Sequence, residues 1–135
     1  MKMLSGSCMC GSVLYEITGD CREIIACHCN ECRKASGHFT AATATIPENL
    51  KLVNEAGLKW YRSSSIAQRG FCQNCGSTLF WKPDSGDRIS VYVGTIDGQT
   101  KLALSSHIFV EEKGDYYEIE DNVEQFAKGG ANLAI

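Results

Sequence analysis

The sequence predicts a mainly β protein that folds as one domain of short strands. Segments in which apolar and polar residues alternate recur along the chain, and turn-forming residues separate them. In residues 12–18, for example, Val13, Tyr15 and Ile17 fall on one face of an extended chain. No segment shows a sustained helical period. The 135 residues are enough for a hydrophobic core, and no low-complexity linker divides them. We therefore expect a single domain over residues 1–135.

Turn-forming residues divide the chain into eight predicted strands. These are residues 12–18, 39–46, 50–53, 58–63, 77–81, 88–96, 105–112 and 116–120. Asn30 is suited to cap one short helical turn, which Gly37 would end. Residues 122–130 are predicted to form a short helix or an irregular tail. Large aromatic residues are expected in the core, namely Trp60, Phe71, Phe80 and Trp81.

Composition argues against several classes of function. The formal net charge is -3 and there is no basic stripe, so nucleic acid is not expected as the main partner. No apolar run approaches the roughly 20 residues of a membrane span. The first residues, MKMLSGSCMCG, lack the apolar segment of a signal peptide, so we expect a cytoplasmic protein.

The eight cysteines are the most informative residues of the chain. Disulfides rarely persist in the cytoplasm, where closely spaced cysteines are more often metal ligands. Seven of them are clustered: Cys8, Cys10, Cys27, Cys29, Cys32, Cys72 and Cys75. Only Cys21 stands alone. Thiolate ligands favour zinc or an iron–sulfur cluster over hard cations.

The cysteine spacing is compatible with two ways of dividing these ligands. Residues 8–10 and 27–29 have the form Cys-x-Cys, which puts two thiols on one face of an extended segment. Residues 72–75, followed by a glycine, form a turn that aims two thiolates at one metal. The first division is a closed site of Cys8, Cys10, Cys72 and Cys75, with an open site of Cys27, Cys29 and Cys32. The second is a zinc ribbon of Cys29, Cys32, Cys72 and Cys75, which leaves Cys8, Cys10 and Cys27.

A histidine is an alternative fourth ligand for a set of three cysteines. His28 lies between two cysteines and would face away from them on a strand. His38 is six positions beyond Cys32 and is close enough in sequence to reach. His107 is more simply a packed residue of a strand than a ligand.

Four segments together resemble one known family. They are GSCMCGSVLYEI, CHCNECRKASG, RGFCQNCGSTLFW and HIFVEEKGDYYEI. Their order and content are similar to the motifs of the glutathione-dependent formaldehyde-activating enzymes, a family that also includes the animal centromere protein V. The resemblance spans residues 5–127. Where the family usually has a tryptophan this chain has Tyr116 or Tyr117, and Glu124 stands where a proline is common.

The resemblance implies an Mss4-like fold of short strands with two zinc sites. By motif, Cys8, Cys10, Cys72 and Cys75 would hold a structural zinc ion, and Cys27, Cys29 and Cys32 a second one. It also implies the family's activity, in which a carbon–sulfur lyase forms S-hydroxymethylglutathione from glutathione and formaldehyde.

An open site of three thiolates suits sulfur chemistry. Such an electron-rich zinc ion activates water poorly but can keep a fourth thiolate deprotonated. We therefore expect Cys27, Cys29 and Cys32 to be catalytic and to bind a small thiol, such as glutathione or its aldehyde adduct.

Other residues near the clusters are candidates for substrate contacts. Arg33 and Lys34 directly follow the last ligand and are candidates to hold a substrate carboxylate, although a solvated turn is the simpler interpretation. Ser36, His38 or a water molecule would supply the proton for the new oxygen. Arg69 would bind substrate or pair with a surface acid.

Two other functions compete with the lyase. A zinc-binding module without catalytic activity would bind a protein partner, and it would show an exposed apolar patch and a second site that is closed or absent. A thiol redox protein would use Cys29 and Cys32, but the βαβ context of thioredoxin-like motifs is missing.

Overall fold

The computed structural model describes residues 2–135, which form eleven strands and one α-helix. The strands are β1 (Met3–Ser7), β2 (Leu14–Thr18), β3 (Ile24–Cys27), β4 (Thr40–Thr45), β5 (Leu50–Asn54), β6 (Leu58–Arg62), β7 (Ala67–Cys72), β8 (Thr78–Pro83), β9 (Ile89–Tyr92), β10 (Leu104–Ile108) and β11 (Glu124–Gln125). The helix α1 is Asn30–Ser36, and single 3-10 turns cover Pro47–Asn49, Val93–Thr95 and Val110–Glu112. The predicted mainly β fold is confirmed.

The strands form two sheets. The small sheet has the order β1-β2-β5 and is antiparallel. The large sheet has the order β11-β10-β3-β4-β9-β8-β7-β6. Its pairs are antiparallel, except that β10 runs parallel to both β3 and β11.

The hydrophobic core lies between the two sheets. Val13, Tyr15 and Ile17, the apolar face predicted for residues 12–18, are buried. The Tyr15 ring packs edge-on against the Phe80 ring of the large sheet, with 5.2 Å between the ring centroids. Complete burial of a large apolar side chain stabilises the folded state by roughly 1.5–3 kcal/mol. Gly6 is required beside this core, since a Cβ atom there would lie 2.1 Å from the Tyr15 ring.

The opposite face of the large sheet forms the floor of a cleft. Neighbouring residues of a strand point to opposite faces, so Phe80 enters the core while Trp81 lines the cleft. Across the sheet, Trp81 is the register partner of Arg69 on one side and of Ser90 on the other, and both also line the cleft. The expectation that Trp81 belongs to the core was therefore wrong.

The other predicted core aromatics differ in burial. Phe80 is completely buried. Trp60 is partly buried and packs against the core, with its ring stacked on Phe80 at 6.0 Å. Phe71 is only half-buried.

The helix begins one residue earlier than the sequence indicated. Its N-cap is Cys29, whose Sγ atom accepts a hydrogen bond from the Cys32 backbone at 3.4 Å, whereas Asn30 was the predicted cap. The predicted end is correct. Gly37 adopts the left-handed conformation (φ 87°) and donates its N–H to the Arg33 carbonyl at 2.8 Å.

Seven of the eight predicted strands overlap an observed strand. The exception is residues 116–120, whose alternating pattern was misleading, because Tyr116 and Tyr117 pack on histidine rings instead of joining a sheet. Four strands, β1, β3, β7 and β11, were not predicted. Residues 122–130 form an irregular tail apart from β11. In residues 2–135, no helix has the length and apolar character needed to cross a bilayer.

Candidate metal centres and the adjoining cleft

Four cysteines from two distant parts of the chain meet at one end of the core. The four-cysteine cluster consists of Cys8, Cys10, Cys72 and Cys75, and its Sγ atoms all lie within 4.8 Å of one another. The Sγ atom of Cys10 is 3.7 Å from those of both Cys8 and Cys72. Zinc–sulfur bonds of about 2.3 Å in a tetrahedron require sulfur–sulfur distances of about 3.8 Å, so the cluster fits zinc.

Two similar turns hold these thiols. After Cys8, the Gly11 N–H donates to the Cys8 carbonyl at 3.3 Å, and after Cys72, the Gly76 N–H donates to the Cys72 carbonyl at 2.7 Å. Both glycines have a left-handed conformation, with φ of 83° and 81°. The two turns therefore aim their thiols at a common centre.

Serine hydroxyls surround the four-cysteine cluster. The Ser77 Oγ lies 3.2 Å from the Cys75 Sγ, and its hydrogen bond lowers the pKa of Cys75 to about 5. Ser12 Oγ lies 2.9 Å from the Cys10 Sγ and 3.3 Å from the Cys72 Sγ. These hydroxyls favour the thiolate form that a metal requires.

The second cluster, the three-cysteine cluster, lies at the junction of β3 and α1. Its Sγ atoms belong to Cys27, Cys29 and Cys32 and also lie within 4.8 Å of one another. Cys27 ends the strand, Cys29 caps the helix, and Cys32 lies in the first helical turn. The structure thus brings the cysteines together as four and three, and does not bring Cys29 and Cys32 to the second turn at Cys72.

Arg69 connects the three-cysteine cluster to the cleft. Its guanidinium group donates through Nη2 to the Cys32 Sγ at 3.8 Å and through Nη1 to the Tyr92 hydroxyl. Hydrogen bonds from Cys27 and Cys29 lower the pKa of Cys32 to about 2, and the Arg69 bond adds to this effect. By contrast, the hydrogen bonds that Cys27 makes with Cys29 and Cys32 raise the pKa of the Cys27 thiol. Arg69 therefore favours the thiolate form of Cys32.

The cleft beside this cluster has a volume of about 440 Å³, within the usual range for small-molecule sites. Cys27, Cys29 and Cys32 all line it. Apolar walls come from Ile25, Ala42, Ile66, Trp81 and Leu133. Burial raises the pKa of Tyr92, another lining residue, so its hydroxyl keeps its proton at neutral pH.

Two further arginines line the cleft, and sequence reasoning did not select them. Arg22 precedes β3 and is 8% exposed, and Arg88 precedes β9 and is half-buried. Burial, and then the nearby Arg88, lower the pKa of Arg22 to about 10, so Arg22 stays charged at neutral pH. No motif marks these positions, because only the strand pairing brings them beside the three-cysteine cluster.

Four of the residues predicted to contact substrate lie outside the lining of this cleft, namely Arg33, Lys34, Ser36 and His38. Lys34 is exposed, and Arg33 is half-buried with a weak bond of 3.4 Å to the Asn30 side chain. Ser36 donates to the Cys32 carbonyl at 2.9 Å. His38 contacts the Tyr116 hydroxyl. Arg69 is the predicted candidate that the cleft includes, and within residues 2–135 no surface acid pairs with it.

The two remaining histidines form a buried chain behind the three-cysteine cluster. His28 faces away from its cysteine neighbours, as expected, and contacts the Tyr117 hydroxyl and, at 2.9 Å, the His107 ring. His107 in turn lies 3.0 Å from the Asp121 carboxylate. Among residues 2–135, no histidine nitrogen joins either cysteine cluster.

The chain is similar to known proteins in both sequence and structure. The chain is 26% identical over 128 residues to an uncharacterized lyase of Schizosaccharomyces pombe. The aligned region covers 93% of this chain and 92% of the relative. It is also similar to the crystal structure of a Rhodobacter sphaeroides protein, with a TM-score of 0.57 and 26% identity, over 72% of this chain and 91% of the other.

The family itself is established by a match to a family model that covers most of the chain. The sequence model of the glutathione-dependent formaldehyde-activating enzymes matches residues 3–112, which include both cysteine clusters and most of the strands that form the cleft. The chain therefore belongs to the family of glutathione-dependent formaldehyde-activating enzymes.

Proposed function

We propose that this protein is a zinc-dependent carbon–sulfur lyase that acts on glutathione–aldehyde adducts, in the manner of an S-hydroxymethylglutathione synthase. The observation that carries the proposal is that three thiols line a cleft large enough for a small molecule, and that among residues 2–135 no fourth histidine, cysteine or carboxylate joins their cluster. A closed cluster of four thiols elsewhere in the same chain provides the contrast expected between a structural and a reactive site.

The donor sets of both clusters suit zinc. Cys8, Cys10, Cys72 and Cys75 would hold a structural ion, and Cys27, Cys29 and Cys32 a second ion. A zinc ion held by Cys27, Cys29 and Cys32 would supply the positive charge that keeps a substrate thiol deprotonated at neutral pH.

In the reaction, the substrate sulfur forms a bond to the aldehyde carbon, and the π electrons of the carbonyl group move to its oxygen. The proton given up by the thiol ends on that oxygen, and the reverse reaction breaks the same carbon–sulfur bond. The balance needs no oxidant or reductant. This chemistry requires a cleft that aligns sulfur and carbonyl and that supplies a hydrogen bond to the new oxygen.

Tyr92 and Arg69 are placed to assist this step. The Tyr92 hydroxyl accepts a bond from Arg69, so its own hydrogen is free to donate into the cleft. Its raised pKa makes it a neutral donor that stabilises the developing oxygen charge without losing its proton. Arg69 meanwhile offsets negative charge on Cys32.

The test is the rate of exchange between glutathione, formaldehyde and their adduct, measured by NMR exchange spectroscopy. Zinc-loaded protein should accelerate exchange above the uncatalysed rate, and Cys29→Ser should abolish the acceleration. Cys21→Ser is the matched control, because Cys21 belongs to neither cluster. Equal acceleration by Cys29→Ser and wild type would contradict the proposal. No acceleration by wild type with both sites filled would favour the alternative of a non-enzymatic zinc module that binds a protein partner.

A further inference from the structure

Three guanidinium groups face the cleft, and none of them is in an ion pair with a carboxylate of residues 2–135. Arg22, Arg69 and Arg88 all line it. The ion pairs among residues 2–135 involve other groups, at Lys2–Asp20, Arg62–Asp84 and His107–Asp121. Buried cations normally have an anionic partner, because their desolvation is otherwise costly. Among residues 2–135, Arg22 and Arg88 have no such partner, which favours an anionic ligand beside them.

The acidic residues of the cleft do not supply that partner. Glu31 and Glu112 both line the cleft, but neither is within ion-pair distance of an arginine. Glu112 instead accepts a hydrogen bond from the Asn30 backbone at 2.9 Å, at the start of the helix.

Arg22 and Arg88 retain donors that the protein does not use. Arg22 donates through Nε to the Glu23 carbonyl and through Nη2 to the Ala42 carbonyl, and within residues 2–135 its Nη1 has no partner. Arg88 lies over the Trp81 ring at 5.8 Å, and among residues 2–135 no group accepts a hydrogen bond from its side chain. Arg69, by contrast, is engaged by Tyr92 and Cys32.

We propose that Arg22 and Arg88 form a carboxylate-binding subsite for the molecule whose sulfur is held at the three-cysteine cluster. This inference rests on the proposed function for the binding of the ligand's sulfur, and it assigns the binding site of the ligand's carboxylate. Guanidinium groups present planar pairs of donors that match a carboxylate. The apolar walls at Ile25, Ala42 and Ile66 suit the aliphatic body between the two ends.

The inference differs from the prediction made from sequence. Arg33 and Lys34 were selected because they follow a ligand along the chain, and neither lines the cleft. Their role in holding a carboxylate stays a prediction, and one experiment separates the two assignments.

The experiment is calorimetric titration of the zinc-loaded protein with two probes, glutathione and glutathione diethyl ester, at one fixed ionic strength. The probes share a thiol and differ in their carboxylates. Arg88→Gln should weaken glutathione about tenfold or more, as expected for loss of a charged hydrogen bond, and should leave the ester within about twofold. Arg88→Lys should retain part of the affinity, because it keeps the charge but loses the planar pair of donors.

Two matched variants make the result specific. Arg62→Gln removes a surface guanidinium that pairs with Asp84 at 2.9 Å outside the cleft, and it should change neither affinity. Arg33→Gln should likewise leave glutathione binding unchanged, and weakening by this variant alone would support the sequence-based assignment and overturn ours. Arg22→Gln is informative if it folds, since its bond to the Ala42 carbonyl also supports β4.

Failure of this inference is distinguishable from failure of the proposed function. Wild-type affinity for glutathione in Arg88→Gln, or equal affinity of wild type for both probes, would overturn the carboxylate subsite. If instead Cys29→Ser binds the ester as tightly as wild type, the thiol site fails, while an effect of Arg88→Gln on glutathione would still support the subsite.

Discussion

At the scale of single residues, the chemistry of each thiol depends on its neighbours in space. Cys75 is held beside the Ser77 hydroxyl in a closed group of four, whereas Cys32 lies beside Arg69 at the edge of a cleft. In the sequence the two positions look alike, because each is the second cysteine of a Cys-x-x-Cys motif. Their surroundings make one suited to a structural metal and the other to a reactive one.

The two clusters should therefore respond differently to substitution. Cys75→Ala should greatly reduce the yield of soluble protein and its melting temperature, because a closed zinc site contributes directly to folding. Cys29→Ala should give a folded protein whose melting temperature falls by only about 3 to 5 °C, as expected for loss of a helix N-cap. Thermal melts followed by circular dichroism provide the measurement, with Cys21→Ala as the control for loss of a thiol. Equal destabilisation by Cys75→Ala and Cys29→Ala would disprove the division into structural and open sites.

At the scale of elements, the short helix α1 fixes two of the three ligands of the open cluster. It is only seven residues long, so its position depends on its ends. Cys29 caps the first turn and Gly37 ends the last turn in the left-handed conformation. Because the helix is so short, strain at either end would displace the Cys29 and Cys32 thiols of the cluster.

Gly37→Ala should test the backbone requirement in isolation. A Cβ atom at Gly37 would meet no atom within 4 Å, so the variant introduces left-handed strain without a steric clash. We expect the free energy of unfolding to fall by about 1 kcal/mol, which corresponds to roughly 3 to 5 °C in melting temperature for a domain of this size. Gly94→Ala is the matched control, because Gly94 has equal space and no positive φ. A loss for Gly94→Ala as large as that for Gly37→Ala would refute the conformational explanation.

At the scale of the whole molecule, the large sheet separates the hydrophobic core from the cleft. One face packs on the small sheet around Tyr15 and Phe80, and the other forms the floor of the cleft. The four-cysteine cluster joins the β1–β2 connection of the small sheet to the turn between β7 and β8, so it connects both sheets. The three-cysteine cluster opens to the cleft on the other face.

This separation predicts two stages of metal release. Purified protein should contain two zinc ions per chain, and a mild chelator should remove the ion of the three-cysteine cluster first, because it has fewer protein ligands. Circular dichroism should stay unchanged through this first stage and be lost only with the second ion. Elemental analysis and a colorimetric zinc assay check the stoichiometry and the two stages. Release of both ions in one step together with unfolding, or iron in place of zinc, would contradict the assignment.

The sequence by itself determined the mainly β class, the buried face of β2 and the family. These features are local: alternation over a few residues and ordered cysteine motifs need no knowledge of distant contacts. Where local patterns failed, long-range packing was responsible. Residues 116–120 alternate like a strand but pack on histidines, and β3 and β7 become strands through pairing in the large sheet.

Only the tertiary structure decided how the clustered cysteines divide and what surrounds the three-cysteine cluster. Spacing allowed Cys72 and Cys75 to join either of two groups, and sheet pairing places them beside Cys8 and Cys10. Arg22, Arg69 and Arg88 are far apart in sequence and carry no motif, yet the order of strands in the large sheet brings them to one cleft. Their charge becomes informative only there, because the cost of an unpaired cation depends on burial and on the distance to the nearest carboxylate, and neither quantity exists along a linear chain.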